Sequence, residues 1–319
     1  MKTIIDKLKF SARLFLSTLA LSFLFVTTSC DDDDDDKPET IAEIAASNPD
    51  FSTLVTALEI TGLDAVLDGT TDYTVFAPTN DAFETFLSGA DINDVPEAVL
   101  TQILLNHVVS GEVLSTQLTT GYIQTSATYN GVANGSNLEM YVSTVDGVEL
   151  NGVSSVTSAD ISASNGVIHV VDAVIGLPTI VTFATADPNF SSLVAALTSP
   201  GQPDFVSILS GPGPFTVFAP TNAAFTALGT ELAQIPLVPT ADQLTEVLLY
   251  HVVSGNVLSS SLTNNQVVTT LQGGTFTVGL TGGAKITDAN ARISNIVAVD
   301  VQAANGVIHV LDKVLLPAL

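Results

Sequence analysis

Four histidines are the side chains of this sequence best suited to proton transfer or metal binding. They occur in two pairs, His107 with His169 and His251 with His309. Asp172 and Asp312 follow the second histidine of each pair, an arrangement compatible with part of a hydrolase triad. A triad also needs a serine on a strand-to-helix elbow, and no serine has that context. A metal site would need a third ligand beside each pair. We therefore predict structural histidines bonded to backbone carbonyls, with no enzyme activity, metal or cofactor.

The charges and the single cysteine exclude further chemistry. Cys30 is the only cysteine, so a disulfide within the chain is impossible and the folded part has no thiol nucleophile. All but one of the 33 acidic residues come after Cys30 in the sequence, and no Lys or Arg occurs between Pro38 and Ala284. Nucleic acid binding requires several cationic contacts to phosphates. A nucleic-acid partner is therefore excluded.

Residues 1–29 are typical of a secretion signal. A basic region ending at Arg13 precedes an apolar run from Leu14 to Val26, which is shorter than the roughly 18 residues of a membrane span. Cys30 follows small residues directly and resembles the processing site of bacterial lipoproteins, which implies that Cys30 is acylated. Thr27 departs from that pattern, where leucine is usual. The alternative is an ordinary secretion signal with an incidental cysteine.

Residues 30–39 are predicted to form an acidic tether. Six consecutive aspartates, Asp31 to Asp36, repel one another and favour an extended segment reaching roughly 30 Å. An acidic run after the acylated cysteine resembles the export signal of surface lipoproteins. We therefore expect a protein anchored by lipid in the outer membrane and facing the cell exterior, with a periplasm-facing orientation as the alternative.

The rest of the chain is an internal repeat with a period near 140 residues. Its blocks recur in the same order. The first block is Thr74-Val75-Phe76-Ala77-Pro78-Thr79-Asn80 with Phe83, and it recurs as Thr216-Val217-Phe218-Ala219-Pro220-Thr221-Asn222 with Phe225. The second runs from His107 to Gly111 and recurs from His251 to Gly255, and the third runs from Asn165-Gly166 through His169 to Val170 and recurs from Asn305-Gly306 through His309 to Val310. This period is the size of a whole domain. We predict domain 1 at 40–177 and domain 2 at 178–318, joined so closely that they touch.

Each copy is predicted to be α+β. Phe51, Leu54 and Leu58 have helical spacing, and Thr79 is placed to cap a further helix. Later Val- and Thr-rich runs are separated by hairpin dipeptides at Asn134-Gly135, Asp146-Gly147 and Asn151-Gly152. Helices followed by hairpins predict helices packed on an antiparallel sheet or sandwich.

The repeated blocks resemble the two sequence motifs of the fasciclin domain family. Thr74 to Phe83 and Thr216 to Phe225 are similar to the first motif, and the segments from Asn165 and Asn305 are similar to the second. Tyr250-His251 matches an intervening Tyr-His pair, whereas domain 1 has Asn106 before His107. The resemblance implies a helix-plus-β-sandwich fold, an extracellular adhesion or matrix-interaction role, and no catalytic activity.

The resemblance also implies one candidate contact in each domain. Asp160-Ile161 and Asp300-Val301 occupy the place of an Asp-Ile pair that has been linked to integrin binding in animal relatives. The alternative is that Ile161 and Val301 simply pack inward from a strand. The other residues of the two motifs, including Pro78, Pro220, Gly166 and Gly306, are predicted to hold the fold.

Two classes of partner remain for a protein attached to the membrane by a lipid anchor. The first is an extracellular protein bound by an adhesion module. The second is a glycan bound by an accessory lipoprotein of a polysaccharide-uptake system. Sugar sites usually expose aromatic rings, and the chain has no Trp and only five Tyr. Any stacking is predicted at Tyr122, Tyr129 or Tyr141, which lack tyrosine counterparts in domain 2.

Overall fold

A computed structural model describes residues 38–129, 135–232 and 240–318. Domain 1 contains the following elements in chain order: α1 (Ile41–Ser47), α2 (Ser52–Thr61), α3 (Asp64–Leu67), β1 (Tyr73–Pro78), α4 (Asn80–Leu87), α5 (Glu97–Leu105), β2 (Val108–Ser110), β3 (Gly121–Thr128), β4 (Asn137–Ser143), β5 (Glu149–Leu150), β6 (Ser154–Ala163) and β7 (Gly166–Val171). Domain 2 repeats this plan: α6 (Ile180–Ala186), α7 (Ser191–Leu197), α8 (Phe205–Ser210), β8 (Phe215–Pro220), α9 (Asn222–Leu232), α10 (Ala241–Tyr250), β9 (Val252–Ser254), β10 (Val267–Thr269), β11 (Thr275–Gly279), β12 (Lys285–Thr287), β13 (Ile293–Ala303) and β14 (Gly306–Leu311).

Each domain has a seven-stranded sheet of the same topology. The strand order is β2-β1-β7-β6-β5-β4-β3 in domain 1 and β9-β8-β14-β13-β12-β11-β10 in domain 2. The α+β prediction is confirmed, but the sheet is mixed rather than wholly antiparallel. The last strand of each domain pairs in parallel with the first, β7 with β1 and β14 with β8. This pairing joins the two repeated motifs side by side.

Local sequence explains where the helices begin and end. The Thr40 hydroxyl accepts a hydrogen bond from the Glu43 N–H in a capping box. Thr79 caps α4 as predicted, by accepting from the Ala82 N–H. Helix α2 ends at Gly62, whose φ of 67° lies in the left-handed region. Each of these signals acts over a short range, which is why the helices around Phe51 and after Thr79 could be predicted from the sequence.

Two apolar layers stabilise each domain. In domain 1 the helices cover one layer built around Phe51 and Phe83, and strand residues form a second around Phe76 and Met140. Domain 2 has the equivalent layers around Phe190 and Phe276. All four layers lie within Pro38–Leu319, which clusters as one compact unit. This part of the chain therefore contains the cores that its own folding requires.

Of the helices in the described residues, none is alone both long and apolar enough to cross a bilayer. One pair passes jointly on length and composition, Ile180–Ala186 with Pro188–Leu197, and it is bent by 95°.

Candidate functional site

The second motif of each domain begins with an asparagine that connects three segments. Asn165 Oδ1 accepts from the Ile41 N–H at 2.9 Å, and its Nδ2 donates to Leu67 O at 2.6 Å. Asn305 repeats this network with Ile180 and Leu209. The following glycine, Gly166 or Gly306, lies against the first strand. A Cβ on Gly166 would be 1.9 Å from Tyr73 O, and the equivalent distance at Gly306 is 2.1 Å to Phe215 O. Only glycine allows this approach.

The first motif is held by side chains that bond to the backbone. Thr74 Oγ1 donates to Gly111 O at 2.7 Å and accepts from the Val113 N–H at 2.8 Å. Asn80 Oδ1 accepts from the Thr53 N–H at the start of α2, and Nδ2 donates to Pro49 O. Domain 2 repeats these arrangements, because Thr216, Thr221 and Asn222 also bond to the backbone. In both domains a proline ends the first strand, Pro78 in β1 and Pro220 in β8. The motif phenylalanines Phe76, Phe83 and Phe218 are buried, and Phe225 is half-buried.

His107 and His251 are fully buried hydrogen-bond bridges. His107 Nε2 accepts from the Ile175 N–H at 2.9 Å, so Nδ1 carries the proton and donates to Ile103 O at 2.8 Å. His251 makes the same bridge between Leu315 and Val247. Burial disfavours the charged imidazolium and lowers the pKa of each of these two histidines to about 4. Both are neutral at pH 7.

His169 and His309 form a second bridge with the opposite tautomer. His169 Nδ1 accepts from the Asp160 N–H at 3.2 Å, so Nε2 carries the proton and donates to Val113 O at 2.9 Å. His309 bridges Asp300 and Val257 in the same way, and burial lowers its pKa. Their rings lie beside Phe76 and Phe218. All four histidines are thus structural in their contacts, with both ring nitrogens engaged.

The hydrolase arrangement is not formed. His169 has no exposed surface, and Asp172 is engaged elsewhere, because its Oδ1 accepts from the Ser155 N–H at 2.7 Å. Asp312 likewise accepts from the Asn295 N–H at 2.7 Å. Within the described ranges, no group of three His, Cys, Asp or Glu side chains could hold a metal ion.

Asp160 and Asp300 sit at bulges where the sheet register shifts. Asp160 has φ of 62° and Asp300 has φ of 59°, values that are uncommon for residues other than glycine. The bulges lie between β6 and β7 and between β13 and β14. Their side chains are 38 % and 34 % exposed, whereas Ile161 and Val301 pack inward against the apolar cores. Each aspartate therefore points outward while its neighbour anchors the strand.

A serine holds each of these aspartates, and sequence reasoning missed both. Ser115 donates to the Asp160 carboxylate through its backbone N–H at 2.7 Å and its hydroxyl at 2.5 Å. These bonds, the hydroxyl first, stabilise the carboxylate and lower the pKa of Asp160. Ser259 makes both bonds to Asp300. The signal was present in the repeat, since Val113-Leu114-Ser115 recurs as Val257-Leu258-Ser259.

The Tyr-His position differs between the domains. The Tyr250 hydroxyl donates to Thr275 O at 2.6 Å and accepts from the Ala289 N–H at 3.1 Å. Asn106 in domain 1 instead uses its amide Nδ2 to donate to Ile175 O and Gly176 O. Both side chains are fully buried. The asparagine thus replaces one buried hydrogen-bond network by another.

The tyrosines of domain 1 do not form an open platform for sugar. Tyr141 is only 2 % exposed, and the Tyr122 hydroxyl donates to Asp187 Oδ2 of domain 2 at 3.1 Å. The Tyr122 ring meets Phe183 edge-on, with a centroid distance of 5.4 Å. Tyr129 is half-buried at the end of β3. The two domains therefore touch, as predicted, and two of the three proposed stacking residues lie in their contact. Cys30 and residues 31–37 of the tether lie outside the described residues.

Comparison with known proteins follows the same division into two copies. A family model described as the fasciclin domain matches residues 49–178 and again 188–317. Protein sll1483 of Synechocystis is 40 % identical over 142 residues, covering 44 % of this chain and 73 % of that protein. Human periostin is 33 % identical over 265 residues, covering 79 % of this chain but 29 % of periostin, so the chain spans about a third of that relative.

A solved structure shows the same fold across both domains. It is a FAS1 domain pair from the insect cell adhesion molecule Fasciclin I. The superposition has a TM-score of 0.52 at 21 % sequence identity and covers 83 % of this chain and 97 % of the insect pair. At this identity the likeness concerns the fold.

Proposed function

This chain belongs to the fasciclin domain family, and on that premise we propose that it is a non-catalytic surface protein that binds an extracellular protein. The observation that carries the proposal is the repeated bulge at Asp160 and Asp300. In both domains a carboxylate is partly exposed at a positive backbone φ, which is uncommon outside glycine, and a serine and a buried histidine hold it there. Such strain persists only where surrounding contacts enforce it, and it clusters at functional positions.

The relatives support this class of partner. A cell adhesion molecule shares the fold of the domain pair. A protein partner is favoured over a glycan because two of the three tyrosines at which sugar stacking was predicted, Tyr122 and Tyr141, are engaged in the contact between domains. Neither histidine pair has a free ring nitrogen for acid-base chemistry, which fits a binding role.

The binding test uses residues 38–319 on arrays of extracellular proteins and glycans. An Asp160→Asn/Asp300→Asn variant removes both charges, while asparagine still tolerates a positive φ. Asp146→Asn is the matched control, since Asp146 is an exposed carboxylate in the connection between β4 and β5. We expect binding to protein spots that falls at least tenfold in the double variant and is unchanged in the control. Binding to glycans alone, or binding that ignores the double substitution, would reject the proposal.

We further propose that acylated Cys30 anchors the protein in the outer membrane, with the two domains outside the cell. Labelling with a palmitate analogue should mark the wild type and not Cys30→Ala. Proteinase K added to intact cells should then degrade the domains, whereas a periplasm-facing protein would survive until the cells are opened. Trypsin is unsuitable for this test, because no Lys or Arg occurs between Pro38 and Ala284.

A further inference from the structure

We propose that domain 1 is a structural cover for domain 2, so that α6 and the strand carrying Asp300 keep their native arrangement only while domain 1 packs on them. The contact that does this, here called the joint, consists of Tyr122 and Tyr141 of domain 1 and Phe183 and Asp187 of domain 2. The proposal stands whether or not the aspartate bulges bind a partner.

The joint is a packed aromatic cluster closed by a hydrogen bond. The Tyr122 ring lies 5.2 Å from Tyr141 and 5.4 Å from Phe183 between centroids, both edge-on. Phe183 has no exposed surface and Asp187 is 5 % exposed. Aromatic pairs in this geometry stabilise beyond the area they bury. Removing domain 1 would therefore expose an aromatic ring and a carboxylate that the fold otherwise keeps from water.

Asp187 is suited to the joint in a way that its domain 1 counterpart is not. Its Oδ1 accepts from the Asn189 N–H at 2.9 Å and caps the following turn, which leaves Oδ2 to accept from Tyr122 at 3.1 Å. Asn48 occupies the equivalent place, and among the described residues its side chain makes the capping bond from the Asp50 N–H alone. An asparagine has no second oxygen to offer a tyrosine hydroxyl. The turn at Asn48 is thus capped within domain 1, whereas the turn at Asp187 is capped within domain 2 and also bonds to Tyr122 of domain 1.

The joint also reaches the strand that carries the domain 2 bulge. Tyr141 belongs to the same continuous apolar cluster as Val301 and Ala303, and β4 of domain 1 lies against β13. Val301 directly follows Asp300. In domain 1, Ile161 packs within a cluster whose described residues all belong to domain 1. The dependence therefore runs one way, from domain 2 onto domain 1.

The equivalent face of domain 2 lacks the residues that would cover a further domain. Strand register places Val267 and Thr277 where domain 1 has the Tyr122–Tyr141 pair. Val267 is 64 % exposed. The tyrosine pair is therefore present in domain 1, where Phe183 and Asp187 lie against it, and absent from the matching positions of domain 2.

Hydrogen–deuterium exchange on residues 38–319 tests the dependence. Tyr122→Ala should accelerate exchange in α6 and β13 at least tenfold and leave α1 and β6 unchanged. Val267→Ala, at the same register position of domain 2, should change neither region. If α6 and β13 keep wild-type exchange in Tyr122→Ala, or α1 and β6 accelerate equally, the proposal is wrong.

Milder variants keep the test informative if Tyr122→Ala does not fold. Tyr122→Phe retains the ring and removes the hydroxyl, and Asp187→Ser retains a capping oxygen but has no second oxygen for the Tyr122 hydroxyl. Each should accelerate exchange in α6, and the double variant should accelerate it no more than the stronger single variant, because both remove the same bond. Fully multiplicative effects would show that the two residues act independently and would overturn the joint.

Discussion

The backbone N–H of Asp160 donates to Nδ1 of His169, a residue from the neighbouring strand, at 3.2 Å. The same ring donates from Nε2 to Val113 O, next to the segment that carries Ser115. One buried imidazole therefore positions both the aspartate and the serine that holds its carboxylate. The arrangement recurs at His309, Asp300 and Val257, so the bulge and its support form a unit of the fold.

His169→Phe should weaken this unit. The substitution leaves a buried N–H and a buried carbonyl without partners, which costs about 2–4 kcal/mol of unfolding free energy. Urea denaturation of residues 38–319 measures the loss, and Asp160→Asn serves as the control because it leaves both backbone bonds in place. Equal effects of the two substitutions would show that the bulge depends on the carboxylate and not on the ring.

Acid should destabilise the protein well above the range where carboxylates titrate. The pKa of His107 and His251 is about 4 in the folded protein, against about 6.5 in an unfolded chain. The unfolded state therefore binds more protons between these values. The contribution of these histidines to the free energy of unfolding is fully present above pH 6.5. It falls toward pH 4 by about 1.4 kcal/mol per pH unit for each of them.

Urea denaturation at pH 7.5, 6.0 and 5.0 measures this slope. His251→Gln should be less stable at every pH, but its stability should fall less steeply because one titrating group is gone. A slope that is the same in the variant would show that other groups carry the pH dependence.

The α+β class was predictable because its signals are local and occur twice. Thr79 and the helical spacing around Phe51 act within one or two turns of chain. The parallel pairing of β7 with β1 was not predictable from such signals. It joins residues more than 90 positions apart, Tyr73 with Gly166, and depends on where the last strand inserts into the sheet. Asn134, one of the predicted turn residues, lies outside the described residues.

The contacts of Tyr122 could not be predicted from the sequence around it either. On an alternating strand it reads as an exposed aromatic ring, and only the position of α6 shows that Phe183 and Asp187 cover it. Ser115 was accessible in principle through the repeat. It was missed because a serine in a loop gives no sign of its partner, which is Asp160, 45 residues away.

The Tyr-His position should not tolerate exchange between domains. Asn106 is buried, and its amide bonds to Ile175 O and Gly176 O. Asn106→Tyr would place a much larger side chain in that space and remove those bonds, for a loss of about 3 kcal/mol or more in unfolding free energy. Tyr250→Phe, which only removes a hydroxyl, should cost about 1–2 kcal/mol. Urea denaturation distinguishes the two. A neutral Asn106→Tyr would mean that domain 1 retains room for the tyrosine of domain 2.

Gly166→Ala should be among the most damaging single-methyl changes in the chain. The new Cβ would lie 1.9 Å from Tyr73 O, so β7 and β1 would have to separate where the two motifs meet. Gly62→Ala is the matched control, because Gly62 also has a positive φ, of 67°, but no atom within 4 Å of the new Cβ. We expect the control to lose about 1 kcal/mol of unfolding free energy, the backbone cost alone, and Gly166→Ala to lose at least about 3 kcal/mol more. Similar losses at the two positions in urea denaturation would show that backbone angle, and not the close approach of the strands, is what requires glycine at the second motif.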